Sequence, residues 1–514
     1  MSIPLANAAD QRRHLVEQRE AAPLPPLALL PVLAIAGALT AVLVAFANWY
    51  GYHRDELYFL AAGKHLAWGY PDQPPVVPLV ARLTSALAPG SLVALRLPSA
   101  LAAGMVVLLT GMLVRELRGG RAAQILACLV IALAPAVTGP GHLLSTSSFY
   151  FPVSALLCWL LVRILRTGDQ RLWLPAGLAA GAGLLDTDLV AFLIFAFVAG
   201  LVLTGSRLPL RSGWFYAGGT IALAMWFPYL AWQAGHGWPE LAVAHSIAAG
   251  RSGTSAPWWL ILPEQLILVP LPFAPIWITG LVRLLRDREL RWCRTAGVAY
   301  PVLAVVFMAT GGKPYYLAVM FPLLLAAGAQ PTVDWAARVP TWLRRGELAA
   351  GLVLSAAVLP VTLPVVPASA VHDTPIVKVN YDAGETIGWP AIVAEIAQAY
   401  RSIPARQRSS AVVLTSNYGE AGAVDRYGPA DGLPAAYSGQ DSFWYWGAPP
   451  ASATIAVVVG YSKAQLGFCG SAQLAATLDN HVGVADDEQG QPVWVCTQLR
   501  VGWPALWPWL RYLG

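Results

Sequence analysis

The chain has 514 residues, 57% hydrophobic and only 12% charged, with a net charge of +5 and a mean hydropathy of +0.55. Soluble domains carry about a quarter charged residues, so the composition excludes a soluble globular protein and points to an integral membrane protein. Five cysteines in this length, without CxxC or Cys/His spacing, exclude a disulfide scaffold and a zinc framework.

The first 25 residues are polar, contain Arg12, Arg13 and Arg19, and end in APLPPL. They read as a cytoplasmic leader (1–26). The apolar run that follows is about a full bilayer crossing with no A-x-A-like site after it, so it reads as a retained first helix. Apolar stretches near 27–48, 91–114, 122–139, 147–165, 172–186, 188–205, 214–233, 258–282, 296–310, 315–331 and 348–367 predict about eleven spans. The fifth is short and rich in Gly and Ala.

Basic clusters fall on alternate connections: Arg115, Arg118 and Arg121; Arg163, Arg166 and Arg171; Arg207 and Arg211; Arg283 to Arg294; Arg338, Arg344 and Arg345. The positive-inside rule puts these and the N-terminus in the cytoplasm of a multi-pass plasma-membrane protein. The first loop (49–90), the loops near 140–146, 234–257 and 311–314, and residues 368–514 are then expected outside.

Residues 368–514 change character. SSAVVLTSNYGEAGAVDRYG reads as a strand, a turn and the start of a helix; ATIAVVVG and PVWVCTQL read as buried strands, with SKAQLGFCGSAQLAATL helical between them. The expected architecture is an all-α polytopic membrane domain (27–367) followed by an extracytoplasmic α/β domain. Cys469 and Cys496 are the only cysteines of that domain, and an oxidising exterior permits either a disulfide or two thiols. Cys128, Cys158 and Cys293 read as packing residues.

The first loop contains HRDELYFLAAGKHLAWGYPDQPP, which places His53, Asp55, Glu56, Tyr58, Lys64 and Asp72 where the chain leaves the lipid. Asp55 and Glu56 fit the acidic first turn of a helix. Two returning carboxylates at a lipid boundary also suit proton abstraction from a hydroxyl. Elsewhere, Lys313 stands beside Tyr315 and Tyr316 on an outward loop, where a cation suits a leaving phosphate. Arg251 and His245 lie in the Gly-containing 234–257 loop. Asp186 and Asp188 sit between apparent spans, where ionisable groups are costly, and His142 reads as a surface histidine. Trp444, Tyr445 and Trp446 suit either sugar stacking or packing against the membrane face. GEAG lacks GxGxxG spacing, so no nucleotide site follows, and no nucleic-acid partner is expected.

HRDELYFLAAGKHLAWGYPDQPPVVPLVARL resembles the first outward loop of the GT-C glycosyltransferases, in particular family 39, the group of protein O-mannosyltransferases and aminoarabinose transferases. PYLAWQAGHGWPELAVAH, LPEQLILVPLP, GGKPYYLAVMFPLLLAAGA, SNYGEAGAVDRYG and DSFWYWGAPP are similar to later segments of its bacterial branch. The resemblance implies an inverting transferase, mannosyltransferase-like, that takes a sugar from polyprenyl phosphate to a glycan, protein or lipid hydroxyl. It implies Asp55 as general base with Glu56 supporting it, and Asp72, His53, Tyr58, Asn417 and Glu420 on the acceptor side. Lys313, Arg251, His245, Lys64 and Tyr315 would face the donor phosphate. Gln73 stands where some relatives carry Lys, so one phosphate contact is missing. Monophosphate donors do not demand a divalent cation, and the metal requirement stays open. A lipid-sugar transporter or flippase, or a non-catalytic lipid-sugar binding protein, stays open as the alternative. Transporters, however, gather charges near the midplane in repeated halves, and no repeat is visible here.

Overall fold

The computed structural model describes residues 23–205 and 208–514. The leader arginines and Arg207 lie outside them. The chain begins with α1 (Leu29–Phe46), then two short helices of the first loop, α2 (Arg54–Lys64) and α3 (Val76–Leu87). The long α4 (Leu92–Glu116) and α5 (Thr146–Thr167) follow. Among the described residues six helices are long and apolar enough to cross a membrane: α1, α4, α5, Arg291–Thr310, Pro314–Ala336 and Thr341–Thr362. Arg121–Ala132 and Pro135–His142, bent by 55°, make a seventh if they form one span.

The eleven apolar stretches thus yield six or seven crossings by length and hydropathy. The stretches at 172–186 and 188–205 form Trp173–Leu184 and Leu189–Leu203, of 12 and 15 residues. A straight crossing needs about 20. Gly213–Gly235 has the length, but its Gly, Tyr and Trp content lowers its hydropathy. The 258–282 stretch breaks into Trp258–Leu260, Ile261–Glu264 and Leu271–Phe273 before Ala274–Arg286 begins. Pro263, Pro270 and Pro272 supply no N–H there, which stops a helix from continuing.

The C-terminal region forms a five-stranded sheet in the order β2-β1-β3-β5-β4, from β1 (Ala411–Thr415), β2 (Ala436–Ser438), β3 (Ile455–Val459), β4 (Cys469–Thr477) and β5 (Pro492–Leu499). The β2, β1 and β3 strands run parallel, with Val413 opposite both Ala436 and Val457. The β5 strand pairs antiparallel with β3 and β4. Three strands match the expectation; β2 was not expected. The segment expected as helical contains β4 instead. Its Ala, Gln and Leu favour helix, but pairing with β5 and the Cys469–Cys496 disulfide hold it as an exposed edge strand. Cys128, Cys158 and Cys293 are buried free thiols.

One apolar cluster joins the first loop to this domain. It contains Tyr52, Leu57, Tyr58 and Ala61 of the loop together with Trp389, Val393, Val413, Val424 and Val457. The helix α6 (Tyr418–Tyr427) lies directly on α2: a Cβ on Gly422 would stand 2.8 Å from the Leu57 carbonyl carbon. The sheet domain is therefore packed onto α2, and it fixes what faces Asp55.

Candidate active site

The site is built on the N-terminus of α2. His53 is its N-cap: its Nδ1 accepts the Asp55 amide at 3.1 Å, and its own amide donates to Glu56 Oε2 at 2.9 Å, a reciprocal capping box. Glu56 is wholly buried. Its two oxygens take Arg96 Nε at 2.8 Å and Nη2 at 2.7 Å, and Oε1 also accepts the Leu144 amide at 3.0 Å. Arg96 in turn donates to the carbonyls of Ala47 and Gly51, each at 2.8 Å. Every strong contact of Glu56 is internal. These contacts lock α2 to α4 beside Asp55. His142, expected at the surface, is buried with Nε2 3.5 Å from Arg96 Nη1.

Asp55 is the next residue along the chain, a 100° step round the helix from Glu56, and it stays partly open. Its side chain is 38% exposed, and Tyr418 OH of the sheet domain donates to Oδ1 at 2.7 Å. Burial, with the Asp55 carboxylate beside it, raises the Tyr418 phenol well above its ordinary value against the pull of Arg54, so it remains a donor. Tyr418 was not among the expected site residues, although its neighbours Asn417 and Glu420 were. These two form the N-terminal capping box of α6: Asn417 Oδ1 accepts the Glu420 amide at 2.8 Å, and Glu420 Oε2 accepts the Ser416 and Asn417 amides. They hold the start of the helix that carries Tyr418. The N-x-x-E spacing in SNYGE is the signal that assigns them to a cap.

His53 Nε2 lies 3.7 Å from Asp382 Oδ1. Burial disfavours its cation, but Asp55, Asp382 and Glu56 outweigh that and push its pKa up to about 8. Burial alone would raise Asp382; His53, Lys313 and Arg54 instead hold it below the usual carboxylate range. Arg54 stacks over the Tyr418 ring at 4.9 Å and donates to Tyr381 OH at 2.7 Å and to Asp487 Oδ2 at 2.6 Å. Tyr381 and Asp382 were missed because more than 300 residues of chain separate them from Asp55; Arg54 is the chain neighbour of Asp55, but its partners Tyr381 and Asp487 come from the C-terminal region.

On the other flank of Asp55, Tyr58 OH bridges Asp72 Oδ1 at 2.5 Å and Ser442 Oγ at 2.6 Å. Burial raises Asp72 to about 7, with Asp55 adding repulsion. Asp441 and Glu240 are also pushed well above their ordinary values, by burial first and by the neighbouring acids second. Asp441 holds a positive φ of 46°, a costly conformation for a non-glycine residue, anchored by the Gly514 amide on Oδ1 at 3.0 Å. Gln73 is buried with neither amide atom paired.

Lys313 acts electrostatically on Asp382, and its Nζ lies 6.0 Å from the Tyr315 ring. The 234–257 loop reaches this flank, where a Cβ on Gly253 would meet the Tyr381 ring at 2.6 Å. Arg251 and His245 of that loop are exposed and have no ion pair among the described residues. Lys64 lies at the far end of α2, nine residues from Asp55 or about 14 Å, and does not join the site. Asp188 accepts Tyr229 OH at 2.8 Å and Trp226 Nε1 at 3.2 Å; buried Asp186 has neither oxygen paired. The 444–446 aromatics pack the domain: Trp446 stacks on His65 at 4.5 Å, and Trp444 and Trp507 exchange indole-to-carbonyl hydrogen bonds. Among the described residues no group of three or more His, Cys, Asp or Glu side chains is placed to hold a metal ion.

Residues 72–232 match the family model described as dolichyl-phosphate-mannose-protein mannosyltransferase. No curated protein is similar to the chain in sequence. ArnT from Cupriavidus metallidurans bound to undecaprenyl phosphate superposes with a TM-score of 0.57 at 15% identity, covering 91% of this chain and 97% of that one. The apo ArnT structure gives 0.58 at 16% identity, with the same coverage. The likeness runs through both the helical region and the sheet domain, so the chain has the fold seen in ArnT.

Proposed function

We propose that the protein is an inverting glycosyltransferase that moves a sugar from a polyprenyl-phosphate donor to an acceptor hydroxyl on the outer face of the plasma membrane. One observation carries the reading. Asp55 is a partly open carboxylate of the first loop, held by the α2 cap and Tyr418, with Lys313 acting on the same neighbourhood. In this reading Asp55 accepts the acceptor's proton as that oxygen attacks the anomeric carbon. The bond to phosphate breaks, and the electron pair leaves with the lipid phosphate. A single displacement inverts the centre. Lys313 stabilises the departing charge, as fixed cations do in a site of low polarity, and Asp72 with Tyr58 lines the acceptor side.

Charge placement supports the orientation. Arg163 and Arg166 pair with Glu116 at the end of α4, 25 residues and about 37 Å from the Ser91 end that adjoins the sheet domain. By the positive-inside rule that arginine end is cytoplasmic, and the sheet domain lies outside.

The test uses purified protein in lipid nanodiscs, radiolabelled polyprenyl-phosphate sugars with mannose first, and a cell-envelope acceptor extract. Wild type should transfer or release label, and Asp55→Asn should lose turnover while still binding donor. Equal turnover in both would remove Asp55 as base. Lipid-sugar movement across liposomes without transfer would replace the transferase by a transporter.

A further inference from the structure

Behind the far end of α2, a cavity of about 260 Å³ opens between α2, α3, the 88–91 turn and α6, roughly the volume of eight or nine waters. Three cations line it: Lys64, Arg82 and Arg426. Its one acid, Asp425, has Oδ1 occupied by the Ala436 amide at 3.0 Å. Lys64 and Arg82 are exposed and make no ion pair among the described residues. Arg426 stacks on Tyr52 and Tyr427 at 5.4 and 5.5 Å and lies close over Gly90, where a Cβ would meet its Nη2 at 2.9 Å. These stacks hold the guanidinium without neutralising it, and the cavity carries an uncompensated excess of positive charge.

The second observation is apolar. One step round α3 from Arg82, the row Leu79, Leu83 and Leu87 is exposed at 42%, 53% and 86%. Spacing of four residues puts these leucines on one face, unpartnered by protein and beside the cationic cavity. Apolar side chains next to Lys and Arg at a helix surface are the mark of an interfacial helix.

We propose that this cavity binds the phosphate headgroup of an anionic glycerophospholipid, with an acyl chain lying along Leu79, Leu83 and Leu87. Lys64, Arg82 and Arg426 supply the phosphate contacts. The site lies about 14 Å along α2 from Asp55 and stands independently of the proposed transfer reaction. Because α2 lines both, an occupied cavity also braces the helix that carries Asp55.

The test is native mass spectrometry of delipidated full-length protein in detergent, titrated with phosphatidylglycerol, phosphatidylcholine, inorganic phosphate and undecaprenyl phosphate. Phosphatidylglycerol should form a one-to-one adduct in preference to phosphatidylcholine. Arg82→Gln combined with Arg426→Gln should weaken it about 30-fold, the effect of two interfacial charges. Arg82→Glu alone, at an exposed position, should weaken it with the thermal midpoint unchanged, which separates binding from folding. Unchanged binding in the variants overturns the proposal. So does equal competition by inorganic phosphate, which would make this a free-anion site, or preferential filling by undecaprenyl phosphate, which would make it part of the donor path.

Discussion

Removing the buried pair Glu56–Arg96 distinguishes a positioning carboxylate from a base. Arg96→Met leaves a carboxylate that is 0% exposed without its bidentate partner. An orphaned buried charge costs about 3–5 kcal/mol, and the carbonyls of Ala47 and Gly51 also lose their donors, each worth about 1 kcal/mol. The His53 and Leu144 amides donate to different oxygens of Glu56, so Glu56→Gln keeps an acceptor for only one of them and also strands the guanidinium, for a loss of about 4 kcal/mol. The double variant carries neither charge, and its stability should return to within about 3 kcal/mol of wild type, short of the summed single losses by about 6 kcal/mol. Unfolding in mixed micelles with rising SDS fraction gives these differences. Turnover of the double variant should stay within tenfold of wild type, since Asp55 is untouched. Additive losses, or a double variant as inactive as Asp55→Asn, would refute the assignment.

Lys313→Gln should raise KM for a polyprenyl-phosphate donor and lower kcat, with Lys313→Arg recovering most of the affinity; an unchanged KM would remove the phosphate contact. His53 has its pKa raised from 6.5 to about 8, about 2 kcal/mol of stability. That contribution is complete below about pH 6.5 and is lost as pH rises through 8. Melting profiles of His53→Asn, which keeps a capping acceptor, should lack this step. The Cys469–Cys496 bridge closes a separation of 27 residues, and its loss should destabilise the sheet domain by about 3.5 kcal/mol, measured as a lower melting midpoint of Cys496→Ser.

How much of this molecule could be read from its residues depends on the range of the physics involved. Transfer of apolar residues out of water is local and additive, so α1, α4 and α5 follow from hydropathy alone, as do the buried strands β1 and β3 and the half-buried β5. The resemblance of the first loop likewise led to Asp55. Where two local preferences compete, sequence reading falters: prolines interrupt an apolar run at 258–282, and β4, helix-favouring in composition, is held by a neighbouring strand and a disulfide. The division of labour between Asp55 and Glu56 is tertiary. Adjacent helix positions point about 100° apart, and only the arrival of Arg96 on one side and Tyr418 on the other makes one residue a buried lock and its neighbour an open carboxylate. The three cations of the cavity at the far end of α2, Lys64, Arg82 and Arg426, come from separate segments of chain, and no pattern in the sequence announces their meeting. Hydrophobic burial selects which elements leave water, while long-range packing of the sheet domain on α2 selects which charges face one another.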